Sequence, residues 1–360
     1  MLRITRNCPW NKCTFCGLYK GKQFSIRPLD HIMKDIDMIR YFVDDIQRIM
    51  AQSARGDYRS ITTFHSALPA NEQQAFQSAY RWLQSGMESI FLQDADVMTV
   101  KPDVLVEILR HIRKSFPQVK RITSYTRSRS IARISDEDLT RIAQGGLNRI
   151  HIGMESASNE VLNFIKKGVD KKTHVIAGQK VKRSGMELSE YFMPGLGGEQ
   201  YSKANACETA DALNQINPDF IRIRTLAVPD STELSQHCQN GTFTRIGDVR
   251  MAEELLLFLE NLKGISSIVK SDHILNILQE VEGRLPGDLE RMTAPIRKFL
   301  AMAPEEQMVY IVGRRAGVFS RLEDIKNPEL RKRAETMIET HRVTLDSVED
   351  FAAEMMKRFI

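Results

Sequence analysis

The sequence predicts an α/β protein. The fold expected is a partial (β/α)6 barrel of the TIM type over residues 1–235, with a helical C-terminal region over residues 236–360. Three observations predict its strand–helix alternation and its helical tail. Short apolar, β-rich runs recur between Leu2 and Arg224, amphipathic segments separate them, and after about residue 240 only helical patterns remain. Alternating strands and helices imply βαβ units and parallel pairing. Right-handed crossovers then leave an open doubly wound sheet or a barrel, and both carry functional loops at the C-terminal strand ends. Six units are too few for a closed eight-fold barrel.

The expected strands are Leu2–Thr5, Ser89–Leu92, Arg121–Tyr125, Arg149–Gly153, Leu188–Met193 and Phe220–Arg224. The long first gap holds two helices, Pro28–Met50 and Pro69–Leu83. Asp103–Lys114 follows, with Val104, Leu105, Ile108, Leu109 and Ile112 on one face. Ser135 caps the next helix, acidic residues fill its first turn, and Gly145-Gly146 ends it. Lys171–Arg183 and Ser202–Ile216 fill the next gaps. Beyond residue 240 the helical candidates are Gly247–Leu262, Gly287–Met302, Pro328–His341 and Leu345–Lys357.

The 360 residues are 42% hydrophobic and 27% charged, which excludes a disordered chain, a fibrous repeat and a small disulfide scaffold. A net charge of +5 over this length permits an anionic substrate or RNA and demands neither. The greasiest stretch, Glu254–Leu259 between Glu253 and Glu260, is far short of a membrane span, and the N-terminus shows no secretory pattern. A cytoplasmic, reducing location is the expectation. The cysteines are odd in number: Cys8, Cys13, Cys16, Cys207 and Cys238. Three of them crowd into nine residues, and in a reducing compartment that reads as metal or redox chemistry.

Thiolates at Cys8-x4-Cys13-x2-Cys16 suit an iron–sulfur cluster or zinc. A structural zinc wants four ligands, and His31 is the one nearby candidate for a fourth. Three cysteines alone suit a [4Fe–4S] cluster with one iron open to an external ligand.

The stretch Ile4-Thr5-Arg6-Asn7-Cys8-Pro9-Trp10-Asn11-Lys12-Cys13-Thr14-Phe15-Cys16-Gly17 resembles the cluster loop of radical S-adenosylmethionine (SAM) enzymes, with one more residue between the first two cysteines than the common spacing. The resemblance spans about residues 2–230. It implies a [4Fe–4S] cluster on Cys8, Cys13 and Cys16, SAM chelated to the fourth iron, and one-electron cleavage to a 5′-deoxyadenosyl radical. Phe15 is implied to lie against the adenine. Phe91-Leu92-Gln93-Asp94-Ala95-Asp96, with Pro102, is similar to a version found in uncharacterised bacterial members. It occupies the place where the family holds the SAM amine, so Gln93, Asp94 and Asp96 are candidates. Gly153-Met154-Glu155-Ser156 looks like the stretch whose carboxylate binds the ribose. Lys167 is a candidate for the SAM carboxylate, and Ser124 for the ribose or substrate.

Met193-Pro194-Gly195-Leu196-Gly197-Gly198-Glu199 matches the family's glycine-rich turn under the adenine, through Gly195 and Gly197. Leu226 follows the sixth strand, where the family reads adenine. Arg222 and Arg224 share one face of that strand, either inside the barrel against a substrate anion or outside in solvent.

The resemblance also implies a reducing partner such as flavodoxin or ferredoxin. It leaves open a small-molecule or macromolecular substrate. Cys207 reads as packing within a helix. The competing reading is a non-catalytic zinc or iron–sulfur binding protein, perhaps for RNA. Its basic points, Arg127-Ser128-Arg129 and Arg331-Lys332-Arg333, have little aromatic interleaving.

Overall fold

The computed structural model describes residues 1–52 and 58–359. Among the described residues ten strands run in chain order: β1 (Leu2–Arg3), β2 (Thr5–Arg6), β3 (Ser25–Ile26), β4 (Ser89–Gln93), β5 (Arg121–Thr126), β6 (Arg149–Glu155), β7 (Glu187–Phe192), β8 (Phe220–Ile223), β9 (Ile268–Lys270) and β10 (Gly283–Arg284). The chain divides into two compact units. One holds Met1–Pro9, Lys22–Ile150 and Arg183–Met186, and the other holds Trp10–Gly21, His151–Lys182 and Glu187–Ile360. Strand β6 begins in the first and continues in the second.

In the first unit β1 pairs parallel with β4, Leu2 opposite Leu92, and β4 pairs parallel with β5, Leu92 opposite Ser124. The single strand expected over Leu2–Thr5 is two. Beyond Arg3 the chain turns aside, and β2 pairs antiparallel with β3, Thr5 opposite Ile26. Helix Leu29–Gln52 buries Ile32, Ile36, Phe42, Val43 and Ile46 along one stripe. Phe42 meets Phe76 of helix Ala70–Gln84 edge-on at 5.6 Å. A third helix, Tyr58–Ala67, lies between these two and was not expected. Its mix of Ser, Thr and His gives a weaker periodic signal. Helix Pro102–Ser115 buries Leu105, Ile108, Leu109 and Ile112, as its spacing predicts, while Val106 is buried and the expected Val104 is only half-buried. Ser135 caps helix Asp136–Gly145 by accepting from Asp138 N–H, and Gly146 closes it at φ 118°. That left-handed turn suits glycine.

In the second unit β7 and β8 pair parallel, Tyr191 opposite Arg222, and β8 and β9 pair parallel, Arg222 opposite Lys270. Strand β10 closes this edge antiparallel to β9. Phe192 stacks on Phe258 of helix Asp248–Glu260 at 3.9 Å, so one face of β7 and β8 meets that helix. Tyr191 and Arg222 occupy the other face by alternation. The fold is thus α/β with largely parallel strands and C-terminal helices, as expected, but β9 and β10 fall where only helices were expected. The three residues Ile268–Lys270, flanked by Ser267 and Ser271, are too short a run to register as a strand without the β8 edge they complete. Helices Lys171–Arg183 and Pro328–His341 keep their expected bounds, while Pro304–Arg315 was missed. No helix among the described residues is long and apolar enough to cross a membrane.

Candidate active site

The cysteine loop leaves β2 through Asn7, whose φ of 65° is a left-handed conformation that asparagine tolerates. Asn7 N–H donates to Asp94 Oδ2 at 3.0 Å, and Asp94 N–H donates to Thr5 Oγ1 at 3.1 Å. The segment after β4 therefore ties down the start of the loop. Asp94 also lies 3.4 Å from Arg3 Nε. Gln93 contacts the Met1 sulfur at 3.2 Å. Asp96 points into the protein and is fully buried, accepting from Thr126 Oγ1 at 2.7 Å and Ser130 Oγ at 2.6 Å. Burial pushes its carboxyl up, against the pull of those two hydroxyls. Ser124, buried on β5, donates to Tyr125 O.

The rest of the loop belongs to the second unit, where it is pinned on both sides. Thr14 N–H donates to Ile165 O at 3.0 Å, and Leu234 N–H donates to Thr14 O at 2.9 Å. Trp10 Nε1 donates to Lys166 O at 2.7 Å, with the indole against Gly168. A Cβ on Gly168 would stand 2.3 Å from that ring. Cys16 N–H closes a turn onto Cys13 O at 3.4 Å, so those two thiols sit on one turn. None of the five cysteines is in a disulfide, and all are partly buried. Among the described residues no three His, Cys, Asp or Glu side chains already stand together as a set of metal ligands. His31 is exposed on helix Leu29–Gln52, 3.7 Å from Asp30.

Phe15 packs against an apolar cluster of Val161, Ile165, Leu196, Leu226, Leu234 and Phe243. Lys167 Nζ lies 5.6 Å from the Phe15 ring centroid and 3.7 Å from Glu155 Oε1. Glu155 ends β6 at φ 66°, a costly conformation for a residue with a Cβ and one that clusters at functional sites. Its carbonyl accepts from Met193 N–H at 2.9 Å. Phe15, Glu155, Lys167 and Leu226 are thus neighbours along one short path, and Gly195 joins them through Leu226, whose Cβ lies 3.6 Å from the place of a Gly195 Cβ. Gly197 is buried, and a Cβ there would stand 2.7 Å from Tyr201 backbone.

Sequence reasoning missed what holds this turn. Glu254, buried on helix Asp248–Glu260, accepts from Gly195 N–H at 3.1 Å, Asn205 Nδ2 at 2.7 Å and Ser202 Oγ at 2.5 Å. Burial pushes its carboxyl up to about 7 despite those donors. Glu190 on β7 was missed too. It is wholly buried, neither oxygen has a hydrogen-bond donor, and burial drives its carboxyl well above the ordinary range. Gly195 and Leu226 also line a cavity of ≈330 Å³ whose other walls include Phe243, Met251, Glu349 and Met356. No local pattern signals Glu254 or Glu190, since each acts through residues distant in sequence.

Arg222 and Arg224 both pair with Asp272, Arg224 Nη1 at 2.8 Å. The Arg224 guanidinium lies 5.1 Å from the Tyr191 ring centroid, and that ring stacks on His151. Burial raises the Asp272 carboxyl, but the two guanidiniums outweigh it and hold it below its usual range. Of the remaining cysteines, Cys207 lies in helix Gly198–Ile216, and Cys238 packs on the apolar cluster with its thiol pushed up by burial.

A parallel α/β architecture with a cysteine loop at its first strand end and polar groups at the later ones defines a cofactor-dependent enzyme class. The chain belongs to the radical SAM superfamily, whose family model matches residues 2–209. It is therefore a radical SAM enzyme, and the family implies a [4Fe–4S] cluster and SAM as cofactors and a reductant to drive them. A tRNA uridine(34) acetyltransferase of Methanocaldococcus infernus is 25% identical over 139 residues, 36% of this chain and 26% of the relative. An uncharacterized methyltransferase of Pyrococcus horikoshii is 19% identical over 231 residues, 64% of this chain and 39% of the relative. The chain thus spans less than half the length of these curated relatives. The crystal structure of a methylornithine synthase aligns with a TM-score of 0.44 at 12% identity, covering 76% of this chain and 65% of that one.

Proposed function

We infer that Cys8, Cys13 and Cys16 hold the [4Fe–4S] cluster, and that the enzyme abstracts a hydrogen atom from its substrate. Held by those three thiolates and reduced by an external donor, the cluster would supply the one electron for cleaving SAM to methionine and a hydrogen-abstracting 5′-deoxyadenosyl group, released as 5′-deoxyadenosine. The donor set fits: three thiols outside any disulfide within nine residues, with Cys13 and Cys16 on one turn. The cluster itself would draw the loop together, because metal binding and local folding are coupled. Flavodoxin or ferredoxin is the class of electron donor, and a cytoplasmic setting suits reduced thiols.

The observation that carries this reading is the path Phe15–Lys167–Glu155 beside Leu226. Phe15 and Leu226 offer apolar surface to an adenine, with Gly195 and Gly197 letting backbone approach the ring. Glu155 can accept from both ribose hydroxyls, and Lys167 can pair with the methionine carboxylate. Asp94 is the acceptor for the methionine amine, beside Gln93. Asp96 and Ser124 support this strand end from within. Residues 1–235 form the catalytic core in this reading, and residues 236–360 shape the site.

Anaerobic reconstitution with iron and sulfide, followed by dithionite and SAM, should yield 5′-deoxyadenosine by mass spectrometry. Cys13→Ala should lose both the cluster absorbance near ~400 nm and the product. Retained iron and activity in that variant would sink the ligand assignment.

A further inference from the structure

The face of β7, β8 and β9 turned away from helix Asp248–Glu260 carries charge unusual for the inside of a sheet. Arg222 on β8 stands beside Lys270 on β9 and Tyr191 on β7. Lys270 is matched by Glu282 at 2.9 Å, but Arg222 and Arg224 share the single carboxylate of Asp272. The trio keeps one net positive charge. Arg222 Nε and His273 Nδ1 are buried and have no hydrogen-bond partner. Buried polar atoms are nearly always bonded, so each marks a place where a further polar group belongs, and His273 feels the charges of Arg224 and Asp272 of the same trio.

The loop carrying Asp272 and His273 is built rather than loose. Asn276 Nδ2 donates to Ile223 O at 3.0 Å, and its Oδ1 accepts from Thr225 N–H and Oγ1, each at 3.1 Å. Helix Pro304–Arg315 grips four successive carbonyls of this loop. Arg314 donates to Ile274 and Asn276, Arg315 to Leu275, and the Tyr310 hydroxyl to Ile277. So much scaffolding for one short loop fits a recognition element, because a preorganised site loses less entropy on binding. The position fits as well. Arg224 N–H donates to Phe192 O, and Met193 N–H donates to Glu155 O, so Arg224 lies two strands across from Glu155 at the C-terminal strand ends.

We propose that Arg222, Arg224 and His273, poised by Asp272, form the receptor for an anionic group of the substrate, a phosphate or a carboxylate. The fork of each guanidinium suits either oxyanion, and Arg224 is already oriented by the Tyr191 ring. Asp272 holds the guanidiniums in register and competes with the arriving anion. This rests on the proposed function only in assigning the anion to the substrate.

The test is calorimetric titration of the reconstituted protein with inorganic phosphate and, separately, with acetate. Wild type should bind one of them in the millimolar range. Tighter binding of phosphate assigns a phosphoryl group, and tighter binding of acetate assigns a carboxylate. Arg224→Lys, which keeps the charge but loses the fork, should weaken binding about tenfold. Asp272→Asn should tighten it several-fold by removing the internal competitor, a gain that a purely structural ion trio would not show. No binding of either anion, or equal affinity in wild type and both variants, would overturn the proposal. Production of 5′-deoxyadenosine by wild type is read in a separate assay, so the two readings fail independently.

Discussion

The strand ends of the two units use charge in opposite ways. After β4, the buried carboxylate of Asp96 is consumed on both oxygens by Thr126 and Ser130. After β6 and β8, the charges stand further apart or in excess. Glu155 and Lys167 are 3.7 Å apart, and two guanidiniums share Asp272 while Arg222 Nε has no acceptor. Closed networks fix a scaffold, whereas open hydrogen-bonding capacity in a sheltered place is what a polar ligand needs. The second unit also contains closed networks, and these separate scaffold from site within it.

The largest expected effect comes from breaking one of those. Arg315 and Asp248 form a buried ion pair, and Asp248 N–H donates to Glu349. Arg315→Ala should cost about 3–5 kcal/mol in urea unfolding, since it strands a buried charge. A loss below about 1 kcal/mol would show that this network is solvated and not closed.

Glu254 sharpens the comparison through pH. Its carboxyl titrates at about 7 when folded against an ordinary 4.5. The folded chain therefore holds the proton more tightly, so this group's contribution is favourable below about pH 4.5 and is lost as pH rises to 7. The loss is roughly 3 kcal/mol over that window. Glu254→Gln should flatten the fall in stability that wild type shows from pH 4.5 to 7, so that the difference between the two proteins changes with pH, measured by urea unfolding at several pH values. An unchanged slope would contradict the buried, proton-holding carboxyl.

Asp96→Ala should cost roughly 2 kcal/mol, because two hydroxyls lose their acceptor. Asp96→Asn should recover part of that. Equal stability in all three proteins would remove Asp96 from the scaffold. The smallest effect belongs to the open cluster. Arg224→Gln should shift stability by less than about 1 kcal/mol, as expected for a partly exposed pair. A larger shift would move that cluster to the scaffold side.

Local signals carried most of the fold. The Ser135 cap with Asp138 N–H and the Gly146 turn were legible because both are contacts within one helix. The bounds of Lys171–Arg183 followed from periodicity for the same reason. Strand β9 was not legible, because its pairing with β8 joins Phe220 to Ile268 across nearly fifty residues. In the site, Phe15, Glu155, Lys167 and Leu226 were legible as motif positions, and the fold brings them together. Asp96 was legible as a residue of interest but not as one turned inward, since its partners lie 30 and 34 residues away.

The sequence by itself determined the radical SAM cysteine loop, the alternation of strand and helix and the polar residues at the strand ends. Each of these is written in contiguous residues whose chemistry is local. The tertiary structure decided which of those polar residues are enclosed in complete hydrogen-bond networks and which keep open bonding capacity. It set Glu254 under Gly195, Asp272 between Arg222 and Arg224, and Arg315 against Asp248. A hydrogen bond or ion pair across fifty or more residues depends on where the backbone brings the two groups, and no pattern within either segment encodes that meeting.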